Sequence, residues 1–161
     1  MPAHRIDFPC LFPVGFHRLS MVDLERICVL SFPLSNSRKA IMDGLVQFVQ
    51  RMVDAKIPGD LWVDGSFLTE KIDPKDVDLV VVIDGDAVYD HGMLEQRDAI
   101  DWAIDNQKAT LRCDSYVLME YPVGHALHDE GKWNYSYWHR QWGFSRQDDQ
   151  KGIVVISLGV P

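Results

Sequence analysis

Cysteine is scarce in this chain, and the three present, Cys10, Cys28 and Cys113, are widely spaced and odd in number. That pattern fits buried or incidental thiols in a reducing cytoplasm better than a disulfide framework or a zinc site. Positive charge is also short: 16 Lys and Arg stand against 24 Asp and Glu, for a net charge of −8. Long nucleic acid binds largely through phosphate neutralisation, and no Lys/Arg cluster is present in the sequence to supply it. No apolar stretch reaches the length of a transmembrane helix, and no basic-then-apolar leader opens the chain. A cytoplasmic protein with no membrane partner is therefore expected. Neither an internal repeat nor a low-complexity tract nor a linker divides the chain. One domain is expected, with residues 1–34 as an N-terminal arm and short helix packed on a body of 35–161.

What the sequence does have is concentrated in residues 60–84. The apolar run Leu61-Trp62-Val63 leads to Asp64-Gly65-Ser66, and nine residues after Ser66 the segment Asp76-Val77-Asp78 opens a second run, Leu79-Val80-Val81-Val82-Ile83. The second run is apolar and β-branched enough for a buried strand. Side chains two apart on a strand share a face, so Asp76 and Asp78 project together. Two carboxylates held side by side raise one pKa unless a cation joins them. Oxygen-only ligands of this kind suit Mg²⁺, or Mn²⁺ in its place, which completes its shell with substrate phosphate. Gly65 permits a sharp turn and close approach to a ligand, and Ser66 adds a hydroxyl and an amide. If Phe67 to Lys71 form a helical turn, its free N–H groups face an anion.

The remaining pattern supplies the body of an α/β fold. Pro2, Pro9 and Pro13 mark residues 1–20 as an arm that Phe8, Leu11, Phe12 and Phe16 pin to the core, and Ser20 caps a short helix over 21–30. Ile41, Leu45, Phe48, Val49, Met52 and Val53 share one face of a helix over 37–56, which Pro58-Gly59 stops. Strands are expected at 61–64, 77–84 and 110–118, a helix or helix pair over 87–106, and a final strand over 151–158. Glu95, Asp98, Asp101 and Asp105 recur at helical spacing as a solvated face. Asp114 lies inside the third strand, where an ionised carboxylate is costly unless paired or on a metal. Pairing with Arg112, or an edge position facing water, is the alternative. His125 and His128 lack the further ligand that a zinc site needs, and the segment Trp133 to Trp142 places aromatics on two faces of a helix.

The order of apolar run, Gly65-Ser66, nine residues, then Asp76-Val77-Asp78-Leu79 resembles the signature of the nucleotidyltransferase superfamily related to DNA polymerase beta. Ile57 to Lys71, the proline-rich opening, the aromatic segment and Lys151-Gly152-Ile153 are similar to a small bacterial and phage nucleotidyltransferase-like family of unassigned function. The resemblance implies a minimal nucleotidyltransferase fold, a mixed sheet flanked by helices, and Asp114 as the third metal-site carboxylate. It implies Mg²⁺-dependent transfer of a nucleoside monophosphate from an NTP, in a toxin–antitoxin or defence setting. Asp76, Asp78 and Asp114 would hold metal and perform catalysis; Gly65 and Ser66 would hold phosphates, with Lys71 and Lys75 offsetting pyrophosphate charge. A protein or small-molecule acceptor suits the acidic chain better than an RNA end. No appended helical domain of the kind larger relatives carry is expected, which argues against templated synthesis. The alternative is a catalytically silent nucleotide- or partner-binding module of the same fold.

Overall fold

The computed structural model describes residues 6–159. Residues 1–5 of the arm, with Pro2, and residues 160–161 lie outside them. The chain is α/β: a five-stranded mixed sheet is flanked by helices on both faces. In chain order the elements are β1 (Gly15–Arg18), α1 (Met21–Glu25), α2 (Arg38–Asp54), β2 (Asp60–Asp64) and β3 (Val77–Asp84). There follow α3 (Leu94–Ile104), α4 (Lys108–Leu111), β4 (Cys113–Glu120), α5 (His128–Trp142) and β5 (Gly152–Ser157). Wider helical turns extend α1 through Arg26–Leu30 and follow β3 at Gly85–Asp90. The strand order is β1-β5-β2-β3-β4. β2 runs antiparallel to both neighbours, while the β3–β4 and β1–β5 pairs are parallel.

Alternation along the strands separates two cores. Leu61, Val63, Leu79, Val81 and Ile156 turn to the face that Ile41, Leu45, Phe48 and Met52 of α2 cover. Trp62, Val80, Leu118 and Val155 turn to the opposite face, where Trp142, Trp138 and Tyr135 of α5 close over them. The aromatic spacing of α5 thus buries one stripe and leaves Trp133 and Tyr137 outside. Val53, expected on the buried stripe of α2, lies at its rim and is 40% exposed. Gly44 lets α2 press against α4, since a Cβ there would collide with the Leu111 carbonyl. Cys28 and Cys113 are buried free thiols whose pKa values burial pushes up to about 12, so neither is poised to react,.

Two expectations need correction. The arm does more than cover the core: it supplies β1, the edge strand that pairs with β5 through Gly15↔Gly152 to Arg18↔Val155. The strand expected over 110–118 begins later, at Cys113, because Lys108–Leu111 close a helical turn and Arg112 takes left-handed backbone at φ 57°. Thr110 Oγ1 bonding to Gln107 Oε1 at 2.7 Å holds that turn, and so short an apolar stretch has no periodicity to reveal it.

Arg38, at the start of α2, is fully buried. Its Nη1 donates to the Cys28 and Phe67 carbonyls at 2.8 and 2.7 Å, and Nη2 to those of Thr69 and Lys71 at 2.7 and 2.6 Å. The guanidinium also lies over the Phe32 ring, 3.7 Å from its centroid. Asp73 caps the approach to α2 through the Asn36 amide at 2.7 Å and the Ser35 hydroxyl at 3.0 Å. The segment after Gly65-Ser66 is thus tied down from inside the core and at its far end. Each buried carbonyl that loses its donor costs about 1–3 kcal/mol. Arg38→Met should therefore destabilise the protein by at least about 3 kcal/mol in urea unfolding. A loss below about 1 kcal/mol would mean that water replaces the clamp.

Candidate active site

Gly65 ends β2 with φ 89° and ψ −170°, a backbone state that disfavours any side chain. A Cβ there would also come within 2.6 Å of Asp78 Oδ2. The glycine is required twice, by its own turn and by the carboxylate packed against it. The helical turn that follows is shorter than expected: Ser66–Leu68 form it, and Thr69 is already extended at φ −121°, ψ 174°. Thr69 ends the turn by bonding back to the Ser66 carbonyl with its amide and, at 2.8 Å, its hydroxyl. The Ser66 hydroxyl itself has no partner among the described residues.

Strand register now brings the acids together. Asp64 of β2 lies opposite Asp78 of β3, and Asp78 lies beside Asp114 of β4. Directly opposed residues share a face of the sheet, so these three form one rung. It lies on the α5 side, since the next rung on that face is Trp62, Val80 and Tyr116. Asp76 joins from just before β3. Lys108 Nζ sits 3.0 Å from Asp76 and 3.3 Å from Asp114, linking the two. Asn106 Nδ2 also donates to Asp114 at 2.7 Å. The partner of Asp114 is therefore Lys108 with Asn106; Arg112 points its backbone into the turn before β4 instead.

The rung is over-charged. Asp78 has its pKa raised to about 6, first by burial and then by Asp76 and Asp114, against smaller opposing effects of Lys151 and Lys108. Asp64, absent from the sequence expectations, is 3% exposed and receives both of its short contacts from Lys151 Nζ, at 2.9 and 2.7 Å. Burial still raises its pKa to about 7, although Lys151 and the Gly65 amide favour the charged form. The alternation Leu61, Trp62, Val63, Asp64 was the available signal: it ends a buried strand on an acid beside the turn. The cations at the site are thus Lys108 and Lys151. Lys71 is held by its carbonyl to Arg38, Lys75 is exposed, and neither forms an ion pair among the described residues.

Asp76, Asp78 and Asp114 converge, but not to within 4.8 Å of one another. Among the described residues a group that meets that distance is Asp86, Asp90 and His125. There His125 Nδ1 accepts the Leu127 amide at 3.0 Å, so the neutral ring carries its proton on Nε2, the atom 3.7 Å from Asp86,. With its proton on Nε2 the ring offers no lone pair there to a metal, and 3.7 Å is too long for a hydrogen bond,. His128 turns away to the Tyr121 carbonyl at 2.8 Å, so the two histidines do not converge. A groove of about 770 Å³ lies between α2, α3 and α4, lined by Gln47, Arg51, Asp98 and Trp102, and includes none of the four acids. No helix of the described residues is long and apolar enough to cross a membrane.

A family model described as "Family of unknown function (DUF6932)" matches residues 6–157. The chain belongs to this family. The match runs through the arm, the Gly-Ser turn, the acidic rung and β5 alike. No curated protein and no solved structure matches the chain.

The charge of Asp78 has a consequence for stability. Because folding raises its pKa from 3.8 to about 6, the folded protein holds the proton more tightly. Its contribution is intact below pH ~4 and is lost as pH rises through about 6, a loss of about 2–3 kcal/mol. Asp78→Asn should be more stable than the parent by about that amount at pH 8 in EDTA, and by only about half as much at pH 5. Equal differences at both pH values would show that Asp78 ionises without hindrance.

Proposed function

We propose that the protein is a divalent-cation-dependent nucleotidyltransferase. It would move a nucleoside monophosphate from an NTP to a protein or small-molecule acceptor, with an RNA end disfavoured by the net charge of −8,. One observation carries the reading: Asp76, Asp78 and Asp114 gather at one end of the sheet, against the Gly65-Ser66 turn, with charge left over. An all-oxygen donor set with a raised carboxylate pKa fits Mg²⁺ or Mn²⁺. Asp76, Asp78 and Asp114 would hold it, and when bound it supplies charge stabilisation to phosphate oxygens.

The chain's own groups divide the remaining work. Gly65 and Ser66 offer an amide and a free hydroxyl to the phosphates. Lys108, which is 56% exposed at its side chain, can leave Asp76 and Asp114 and take up negative charge on the leaving group. Lys71 and Lys75 border the same loop and add positive charge from further out. In the transfer, the acceptor oxygen forms a bond to the α-phosphorus while the bond to the β-phosphate oxygen breaks. Pyrophosphate leaves with the bonding electrons, and the acceptor's proton passes to Asp114.

A second reading has one specific observation in its favour. Lys108 already bridges Asp76 and Asp114 and offsets one of their two charges, as a lysine would in a silent binding module that had replaced metal by an internal cation. Transfer of α-labelled NTP separates the two. For an enzyme, Asp114→Asn should lower transfer by about 10²–10⁴-fold while NTP binding changes little. Ser66→Ala should weaken NTP binding by roughly tenfold, the loss of one hydrogen bond to a charged group. EDTA should abolish binding in calorimetry. NTP binding indifferent to EDTA, with no transfer, would support the silent module.

A further inference from the structure

One rung from the acids, on the same face, the sheet carries Trp62, Val80 and Tyr116. Trp62 is only 4% exposed, covered by Phe16 at 5.0 Å and by the edge of Tyr135 at 5.3 Å. Tyr116, on the edge strand β4, stays 39% exposed. Trp138 of α5 packs on it with ring centroids 4.9 Å apart. From Trp138 the aromatic contacts continue to Tyr137 at 5.4 Å and from there to Trp133 at 6.1 Å, nearly parallel at 9°. These outer rings are 45% and 69% exposed. An aromatic surface therefore starts beside Asp114 and leads outward.

A ligand that spans the Gly65-Ser66 turn, the acidic rung and Tyr116 must be charged at one end and flat and apolar at the other. A two-residue step along a strand covers about 6.6 Å, so the ring of Tyr116 lies one short step from the rung. A nucleotide has that shape, whereas an inorganic phosphate or a peptide carboxylate does not. We propose that Tyr116, backed by Trp138, is the stacking surface for the base of the NTP whose phosphates lie at Gly65-Ser66 and the acidic rung. The proposal rests on the nucleotidyltransferase reading and adds the base subsite to it. Stacking on a flat ring tolerates every base, so the surface favours purines by area and does not select a single NTP. Trp133 and Tyr137 do not touch Tyr116, being joined to it only through Trp138, and are not part of the proposed subsite.

Calorimetry with Mg–ATP and with Mg–tripolyphosphate, which has no base, tests this on the full chain. The parent should bind ATP about tenfold tighter than tripolyphosphate. Tyr116→Leu, which keeps apolar bulk on β4, should bring ATP down to the tripolyphosphate level and leave tripolyphosphate binding unchanged. Tyr116→Phe should bind ATP as the parent does, because the ring and not the hydroxyl is used, and Trp133→Ala should do the same. Equal binding of ATP and tripolyphosphate by the parent, or undiminished ATP binding by Tyr116→Leu, would overturn the base subsite and leave the phosphate site standing. Binding of neither compound would overturn both. An ATP loss in Trp133→Ala as large as in Tyr116→Leu would overturn the single-base subsite in favour of a longer strand.

Discussion

The guanidinium of Arg38 is the fixed point from which the site is built. Buried charge is costly unless its donors find acceptors, and here four backbone carbonyls take the hydrogens of Nη1 and Nη2, while Nε has no partner among the described residues. Three of them, from Phe67, Thr69 and Lys71, belong to the segment that leaves the Gly65-Ser66 turn, and the fourth, from Cys28, ties in the N-terminal helical unit. The geometry suits arginine alone, since a lysine ammonium lacks the planar fork that reaches two pairs of acceptors at once. A loop that would otherwise wander between β2 and β3 is thereby shaped by the core. The arm reinforces it from outside, through the Leu11 amide on the Leu68 carbonyl at 2.8 Å and the Glu70 amide on the Pro9 carbonyl at 2.9 Å.

On that scaffold the sheet concentrates negative charge. Three neighbouring strands each place an aspartate on one rung, and a fourth comes from the residue before Val77. Two lysines offset it unequally. Lys151 is committed to Asp64, an 18% exposed side chain against a 4% exposed one, and that pair reads as structural. Lys108 is more exposed and divides itself between Asp76 and Asp114. Asp78 has neither lysine in contact, and burial raises its pKa as it raises that of Asp64. The arrangement is a row of acids with one buried counter-ion and one exposed one.

The aromatic segment illustrates how one stretch serves two purposes. Spacing of four along α5 puts Trp138 and Trp142 inward, edge to face at 81°, and Trp133 with Tyr137 outward. The inner stripe completes the second core over Trp62 and Val80. The outer rings stay in solvent, where burial gives no reason for their size.

The sequence by itself determined the main elements, because their signals are local. The period of α2, the β-branched run of β3, the Gly65-Ser66 turn and the stop at Pro58-Gly59 each follow from residues within one or two turns of chain. It also suggested one face for Asp76 and Asp78, although β3 itself begins only at Val77, so strand geometry places Asp78 and the segment before it places Asp76. Tertiary structure decided the rest. Whether Asp114 meets Asp78 depends on β4 starting at Cys113 and pairing parallel to β3, a register that no local pattern states. Asp64 enters the rung only through its antiparallel pairing with Asp78, and the cations arrive from Lys108 and Lys151, remote from Asp76 and Asp64 in sequence. The arm became a strand because β5 left an edge beside Gly15–Arg18. Propensity and periodicity report what a segment prefers, whereas pairing partners and counter-ions are chosen by what the fold brings within reach.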